Sequence, residues 1–287
     1  MHKHLNIVVK SLFFIWLLLV SASTLLVYQH HFIDLPTGAL MGAAALYFIS
    51  AKRGHFLSRR FTTPRGVKVG YYFLFGAIAS MIASFALSPL FLWLFVSLFS
   101  ISIIFAFGLN SLLAGKDAKP ALWQKILFFP YFLGSYLSWI YYKRNLSLMV
   151  EVEKNVHFGR RPTKDEHTII KKKNLNNIIN LAVEQQCFTQ KDDTITRLPY
   201  LDQTIQSPES LHKGVLMIEA KKEDGVYVHC ALGLSRSILL ISAWMLYNKH
   251  TLEEIEAQLK ILRPKYVKSA YMKITLEIYQ EYLISLN

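Results

Sequence analysis

The sequence predicts a chain in two parts: an N-terminal all-α transmembrane helical domain, followed by an α/β domain with a short central sheet flanked by helices. Charge-free apolar runs dominate the first part, and runs of this kind form helices that cross a hydrocarbon core of roughly 30 Å. From about Val150, charged residues become frequent, and apolar residues form strand-length and amphipathic helix-length pieces. Strands that alternate with helices indicate a layered α/β fold.

Four apolar runs are the predicted spans of a membrane domain that covers residues 1–119. They are residues 11–29, 36–51, 70–88 and 89–109. A signal peptide cleaved after SAS, residues 21–23, is the alternative for the first run, but the runs that follow at once favour an uncleaved helix. No Asp, Glu, Lys, Arg or His lies inside the runs. Their absence favours anchoring over transport or proton conduction.

The net charge of +13 is concentrated in the hydrophobic part of the chain. Residues 1–142 carry 11 basic and 2 acidic side chains, whereas residues 143–287 carry 21 basic and 17 acidic ones. Six of the basic residues lie in the predicted loop 52–68, and the loop HHFIDLP after the first run has none. Positive-inside bias therefore places the N-terminus, loop 52–68 and the segment after residue 109 in the cytoplasm. This pattern indicates an integral membrane protein and excludes a nucleic-acid groove.

Residues 120–149 connect the two parts and contain an apolar core broken by Pro130 and Gly134. This segment is either a fifth span or an element that lies at the membrane surface. Aromatic residues such as Trp123 and Trp139, with basic residues at both ends, are typical of the headgroup level. We therefore favour the interfacial alternative; a fifth span would place the second domain on the other side of the membrane.

Residues 150–287 are predicted to form the α/β domain. Strands are expected near residues 156–158, 177–182 and 194–198, and in VYVH before Cys230. Helices are expected from Ser207, a capping residue followed by proline, to Gly225, and over residues 236–247, 252–262 and 269–286. The TLEE capping box precedes the helix at 252–262.

The decapeptide VHCALGLSRS, residues 228–237, places a cysteine at the end of a strand, before a small-residue loop and a helix. Loop amides and a helix N-terminus attract an anion, and a thiol in such a setting ionises more readily to the nucleophilic thiolate. Arg236 supplies a planar fork for two phosphate oxygens, and Gly233 permits a turn that a side chain would block. A buried structural thiol is the alternative for Cys230.

This decapeptide resembles the signature of the cysteine-based protein tyrosine phosphatases of the dual-specificity class: His229, Cys230, five residues, then Arg236 and Ser237. The resemblance covers about residues 155–287. It is strongest to the phosphatidylglycerophosphate-phosphatase-like enzymes of that class.

Three further stretches are similar to the same class. LPYLDQT at 198–204, with KGV at 213–215, resembles its general-acid loop and the following helix. FGRRP at 158–162 resembles its opening strand and turn, and LRPKYVKS at 262–269 resembles its late helix junction.

The resemblance implies a role for each matched residue. Cys230 would attack phosphorus and form a phosphocysteine, and Asp202 would protonate the leaving oxygen and then activate water. Ser237 would assist departure of the thiolate, and His229 would order the loop. The phosphate oxygens would be held by the loop amides and the arginine. These phosphate-binding residues are Ala231, Leu232, Gly233, Leu234, Ser235 and Arg236. Neither a metal nor another cofactor is implied.

Two assignments keep alternatives. The acid is favoured at Asp202, although Asp192 or Asp193 could serve instead. Cys187 is expected to pack in the core, although it could form a disulfide with an oxidised Cys230. Two cysteines are too few for a disulfide framework and favour a reduced, intracellular setting.

The leading hypothesis is a phosphomonoesterase anchored in a bacterial inner (plasma) membrane, with its catalytic domain facing the cytoplasm. Its substrate would be a membrane-associated phosphate monoester: a lipid such as phosphatidylglycerophosphate, or phosphotyrosine, phosphoserine or phosphothreonine in a protein. The uncharged loop residues Ala231, Leu232 and Leu234 favour a monophosphate over a polyphosphorylated headgroup. The alternative is a silent phosphatase fold that binds phosphorylated membrane partners. A regulatory domain on a functional membrane part is the third hypothesis.

Overall fold

The computed structural model describes residues 63–115, 119–185, 194–267 and 269–286, together with residues 15, 16, 19 and 23. By its internal contacts the chain divides into two compact units, Met1–Ser58 and Arg59–Asn287. Of the predicted span 11–29 only residues 15, 16, 19 and 23 are described, and the predicted span 36–51 lies outside the described residues. The account below concerns the second unit.

The second unit begins with two long apolar helices, α1 (Pro64–Ala86) and α2 (Leu90–Phe107). They correspond to the predicted runs 70–88 and 89–109, and both are long and apolar enough to cross a membrane. Helix α1 begins earlier than predicted because Thr63 caps it, its Oγ1 accepting from Gly66 N at 3.0 Å, and Pro64 occupies the first turn. The prediction of a loop through residue 68 is therefore wrong after residue 63.

Helices α1 and α2 pack closely where small residues meet. A Cβ added at Gly70 would lie 3.2 Å from the carbonyl oxygen of Ser102, so a larger side chain would push the helices apart. Their outer faces expose large apolar side chains, including Phe75 and Phe85, which are 76% and 82% exposed. Apolar surface of this extent is typical of helices that face lipid.

Three shorter helices follow: α3 (Asn110–Ala114), α4 (Leu122–Leu127) and α5 (Phe129–Tyr142). A turn at Phe128, with Pro130 in the first turn of α5, separates α4 from α5. The 14 residues of α5 measure about 21 Å along the axis, which is less than the roughly 30 Å of a hydrocarbon core. The interfacial placement of residues 120–149 stays a prediction.

The α/β part is built on a five-stranded sheet with the order β1-β2-β5-β3-β4. Its strands are β1 (Met149–Glu153), β2 (Val156–Arg160), β3 (Asn177–Ala182), β4 (Thr194–Tyr200) and β5 (Val226–Cys230). β1 is antiparallel to β2, and the other neighbours are parallel. The edge strand β1 was not predicted.

Helices cover both faces of this sheet. They are α6 (His167–Lys172), α7 (Pro208–Lys221), α8 (Arg236–Tyr247), α9 (Leu252–Leu262) and α10 (Ala270–Leu286). The predicted helices at 236–247 and 252–262 are confirmed. The helix predicted from Ser207 ends at Lys221 rather than Gly225, because a 3-10 turn follows it.

Strand β5 lies at the centre of the sheet and is wholly buried. Its side chains alternate between the faces: Val226, Val228 and Cys230 belong to the large core under α7, α8 and α10, whereas Tyr227 belongs to a smaller core with α6. Because β5 ends at Cys230, the loop that follows emerges at the carboxyl edge of the parallel strands, where α/β folds bind ligands.

Candidate active site

The loop between β5 and α8 turns around Gly233, which has a φ of +68°. A Cβ added there would lie 2.4 Å from the carbonyl carbon of Gly159. Only glycine combines this left-handed backbone with so close an approach to β2. The sequence predicts that this position requires glycine, and the close contact with Gly159 explains why.

The loop holds its carbonyl groups outward. Three of its carbonyl oxygens accept hydrogen bonds from groups outside it: Ala231 O from Arg161 N at 3.1 Å, Leu232 O from Arg263 Nη2 at 3.2 Å, and Leu234 O from Val267 N at 2.9 Å. A trans peptide points the next N–H away from its carbonyl, so the amides of Leu232, Gly233 and Ser235 point to the inner side. These amides form a cradle for an anion.

Cys230 lies at the base of this cradle and is 2% exposed. Gly233 N donates to its Sγ at 3.3 Å, and Ser237 Oγ lies 3.5 Å from the same sulfur. The first contact directs a backbone N–H at the sulfur. Ser237 thus lies in contact with the sulfur of Cys230.

The guanidinium of Arg236 is held from behind by Glu184, a carboxylate that sequence reasoning missed. Arg236 Nη1 and Nη2 donate to the two oxygens of Glu184 at 2.7 and 2.6 Å, and Nη1 also donates to Tyr200 O at 3.0 Å. Arginine has five N–H donors. The two N–H groups not engaged in these bonds, one on Nε and one on Nη2, lie along the same edge of the guanidinium. Among the described residues, no atom accepts a hydrogen bond from Nε.

The buried pair of Arg236 and Glu184 is a charged one. Burial alone would lower the pKa of Arg236, but the carboxylates of Glu184 and Asp202 outweigh burial and raise it well above its usual value. The side chains of Arg236 and Glu184 are only 5% and 3% exposed. The guanidinium is therefore a fixed positive charge beside Cys230.

Asp202 enters the same site from the turn after β4. Ser235 Oγ donates to its Oδ1 at 2.9 Å, and the same oxygen lies 3.5 Å from Arg236 Nε. The Asp202 side chain is 39% exposed, so one side of the carboxyl faces open space. The structure thus brings Asp202, Cys230 and Arg236 together; Asp192 and Asp193, the alternative acids, lie outside the described residues, as does Cys187.

His229 precedes Cys230 and is completely buried. Its Nδ1 lies 3.2 Å from the carbonyl oxygen of Cys230; since a carbonyl only accepts, Nδ1 carries the proton. Burial, helped by the positive charges of Arg161, Arg236 and His167, lowers the pKa of His229 to about 4, although the hydrogen bond to Cys230 O acts in the opposite direction. His229 is therefore neutral at pH 7.

The buried His229 predicts a loss of stability in mild acid. Its pKa is about 4 in the folded chain and about 6.5 when unfolded, so protons favour the unfolded state. The contribution of His229 to the free energy of unfolding is fully present above pH 6.5. It falls by about 3 kcal/mol in total as the pH drops toward 4. Thermal unfolding of the full-length protein in detergent from pH 7.5 to 4.5 measures this.

His229→Gln removes the titrating group and should flatten this pH dependence, whatever its effect on stability at pH 7.5. The control is His250→Gln, at a histidine whose side chain is 47% exposed. If His229→Gln and the wild type lose stability in parallel, His229 is not the group responsible.

A cavity of about 600 Å³ opens over Cys230, Asp202 and Arg236. Its opposite wall comes from outside the sheet, from α1, α2 and α5, and includes Val69, Phe73, Phe105, Pro130 and Tyr131. The sequence patterns did not predict that the helical part of the chain would line the site.

The same helices also support the two acidic residues. Val183 and Leu201, the residues immediately before Glu184 and Asp202, are buried in one apolar cluster with Phe105 of α2. Glu184 follows β3, a parallel neighbour of β5. An acidic residue just after a predicted buried strand was the signal that could have identified it.

Comparison with known proteins finds a family match within the α/β part. Residues 156–281 match the family model described as dual specificity phosphatase, catalytic domain. A comparison with curated proteins gives no match.

Several solved structures are similar to this chain. The structure of Tk-PTP in its active form is 22% identical, with 46% of this chain and 96% of that chain covered and a TM-score of 0.43. A structure of human DUSP28 carrying one substitution is 18% identical, with 49% and 99% covered and a TM-score of 0.44. PTPMT1 is 21% identical, with 48% and 97% covered and a TM-score of 0.43. The family match supports a phosphoric monoester hydrolase in residues 156–281, of the dual-specificity protein or lipid phosphatase kind.

Proposed function

We propose that the protein is a membrane-anchored phosphomonoesterase that uses Cys230 as its nucleophile. One observation carries this proposal: the Nε edge of Arg236, which makes no hydrogen bond among the described residues, and the inward loop amides lie beside Cys230 Sγ. Such an arrangement offers donors to all three equatorial oxygens of a phosphoryl group under attack.

The reaction proceeds in two displacements. The Cys230 thiolate forms an S–P bond as the bond from phosphorus to the leaving oxygen breaks, and Asp202 gives its proton to that oxygen. Asp202, now a carboxylate, then takes a proton from water, which attacks phosphorus and releases inorganic phosphate. The Cys230 thiolate departs with Ser237 Oγ beside it at 3.5 Å.

Helices α1 and α2 are proposed as the anchor. They contain 23 and 18 residues and measure about 34 and 27 Å, which matches a hydrocarbon core. The end of this hairpin that holds Thr63 contacts the catalytic part: Thr63 Oγ1 donates to Gln203 O at 2.7 Å. Arg65 and Lys68 lie at the same end. By positive-inside bias this end, with the catalytic domain, faces the cytoplasm.

The proposed substrate is a phosphate monoester at the membrane surface, on a lipid or on a protein. The loop offers Ala231, Leu232 and Leu234 at its variable positions, so it provides no side-chain charge for a second phosphate. A catalytic domain held at the headgroup plane meets such substrates at a high effective concentration.

The general-acid role predicts a result that depends on the leaving group. Asp202→Asn should lower kcat/KM by about 10²- to 10⁴-fold for alkyl phosphates, whose leaving oxygen needs a proton. The loss should be much smaller for p-nitrophenyl phosphate, whose leaving group departs as an anion. The measurement is release of inorganic phosphate by the full-length protein, in sealed inside-out and right-side-out membrane vesicles.

The matched control is Asp165→Asn, at an exposed aspartate outside the site. Equal losses for both leaving groups would contradict the role of Asp202. Activity in intact right-side-out vesicles would contradict the cytoplasmic orientation. Tight binding of phosphate without turnover of any substrate would favour a silent binding module instead.

A further inference from the structure

The wall that faces the phosphate cradle is apolar and comes from three helices outside residues 156–281. Phe73 of α1, Phe105 of α2 and Tyr131 of α5 form one cluster of rings: Phe73 stacks on Phe105 at 5.7 Å, and Tyr131 meets them edge-on at 6.1 and 5.9 Å. All three line the cavity. We call them the aromatic wall.

The aromatic wall is held firmly in place. Phe105 is 4% exposed and shares its cluster with Leu201, the residue before Asp202. Rings packed from three separate helices cannot turn aside independently. The wall therefore keeps a fixed position in the cavity that Asp202 also lines.

One stripe of α1 leads from the water-facing end of the cavity to the aromatic wall. Arg65, Val69 and Phe73 are spaced four residues apart, so they share one face of the helix, and all three line the cavity. The stripe begins with a cation and continues with apolar side chains into the proposed membrane anchor. The order from charged to apolar matches that of a lipid phosphate, whose headgroup lies at the membrane surface and whose chains lie deeper.

We infer that the substrate is a lipid phosphate whose apolar chain lies on Val69, Phe73 and Tyr131 while its phosphate occupies the cradle. This inference rests on the proposed function and adds a specificity site contributed by the membrane hairpin. A phosphopeptide fits less well, because its polar backbone would face this apolar wall and leave hydrogen-bonding groups unpaired.

The test measures kcat/KM of the full-length protein in detergent for n-alkyl phosphates from methyl to octyl. In the wild type each added methylene should raise kcat/KM by roughly two- to fourfold until the wall is covered, as expected for burial of a methylene group. In Phe73→Ala the ratio of kcat/KM for octyl phosphate to kcat/KM for methyl phosphate should fall by about tenfold. The matched control is Phe75→Ala, at a phenylalanine on the same helix that is 76% exposed.

A second arm compares phosphatidic acid in phosphatidylcholine proteoliposomes with a phosphotyrosine peptide, and the lipid should be the better substrate. No dependence on chain length in the wild type, or a preference for the peptide, would overturn the inference while leaving the phosphatase activity standing. No hydrolysis of any alkyl phosphate or of p-nitrophenyl phosphate would refute the proposed function itself. The wild-type series decides the matter even if Phe73→Ala fails to fold.

Discussion

Replacing Cys230 by serine should abolish phosphate release, lowering kcat by at least about four orders of magnitude. Among the described residues, Cys230 is the cysteine at the base of the cradle, and an amide donor lies 3.3 Å from its sulfur. A serine hydroxyl at neutral pH is a much weaker nucleophile than a thiolate. The measurement is single-turnover release of phosphate from p-nitrophenyl phosphate.

The Cys230→Ser protein should still bind inorganic phosphate, because the amides and Arg236 remain. Cys187→Ser serves as the matched control and should turn over normally. Residual activity within about a hundredfold of the wild type would require another nucleophile and would contradict the phosphocysteine mechanism.

Replacing Arg236 by lysine should lower kcat by about 10²- to 10³-fold, the usual effect of losing one donor to a developing oxyanion. Lysine keeps the positive charge near Glu184 but loses the planar fork, so it cannot donate to the carboxylate and to two phosphate oxygens together. The loss should fall mainly on kcat rather than KM, since these contacts strengthen as the transition state forms.

Arg236→Ala is the informative contrast. It would leave the Glu184 carboxylate, 3% exposed, without its partner, and a charge stranded in this way destabilises a fold by about 3–5 kcal/mol. The thermal midpoint should therefore drop in Arg236→Ala and recover in the double variant Arg236→Ala with Glu184→Gln. Arg144→Lys, at an exposed arginine, controls for the arginine-to-lysine change. A kcat near that of the wild type in Arg236→Lys would contradict the role of the fork.

The sequence was most informative where structure is local. The strand, loop and helix start of residues 228–237 depend on neighbours within ten positions, so a pattern of residue types predicts them well. Asp202 could be placed through the stretch LPYLDQT, although 28 positions separate it from Cys230. The helix start at Pro64 was missed because six basic residues in 52–68 suggested a loop, while the capping signal of Thr63 and Pro64 lay within them.

Long-range contacts could not be predicted in this way. Glu184 meets Arg236 across 52 positions, and Arg263 supports the loop across 31 positions. Both depend on the strand order β1-β2-β5-β3-β4, which residue patterns do not encode. The aromatic wall could not be predicted for the same reason. A pattern of apolar residues indicates that one face of a helix is buried or faces lipid, but it does not indicate which element packs against that face.

The outward carbonyls of the loop have a thermodynamic consequence. Arg161, Arg263 and Val267 hold the backbone at Ala231, Leu232 and Leu234 from outside the cradle. Ordering a residue costs roughly 1–2 kcal/mol of conformational entropy, and here that cost is met when the chain folds. An arriving phosphate therefore finds its donors already arranged, and its binding free energy remains available for lowering the barrier to S–P bond formation.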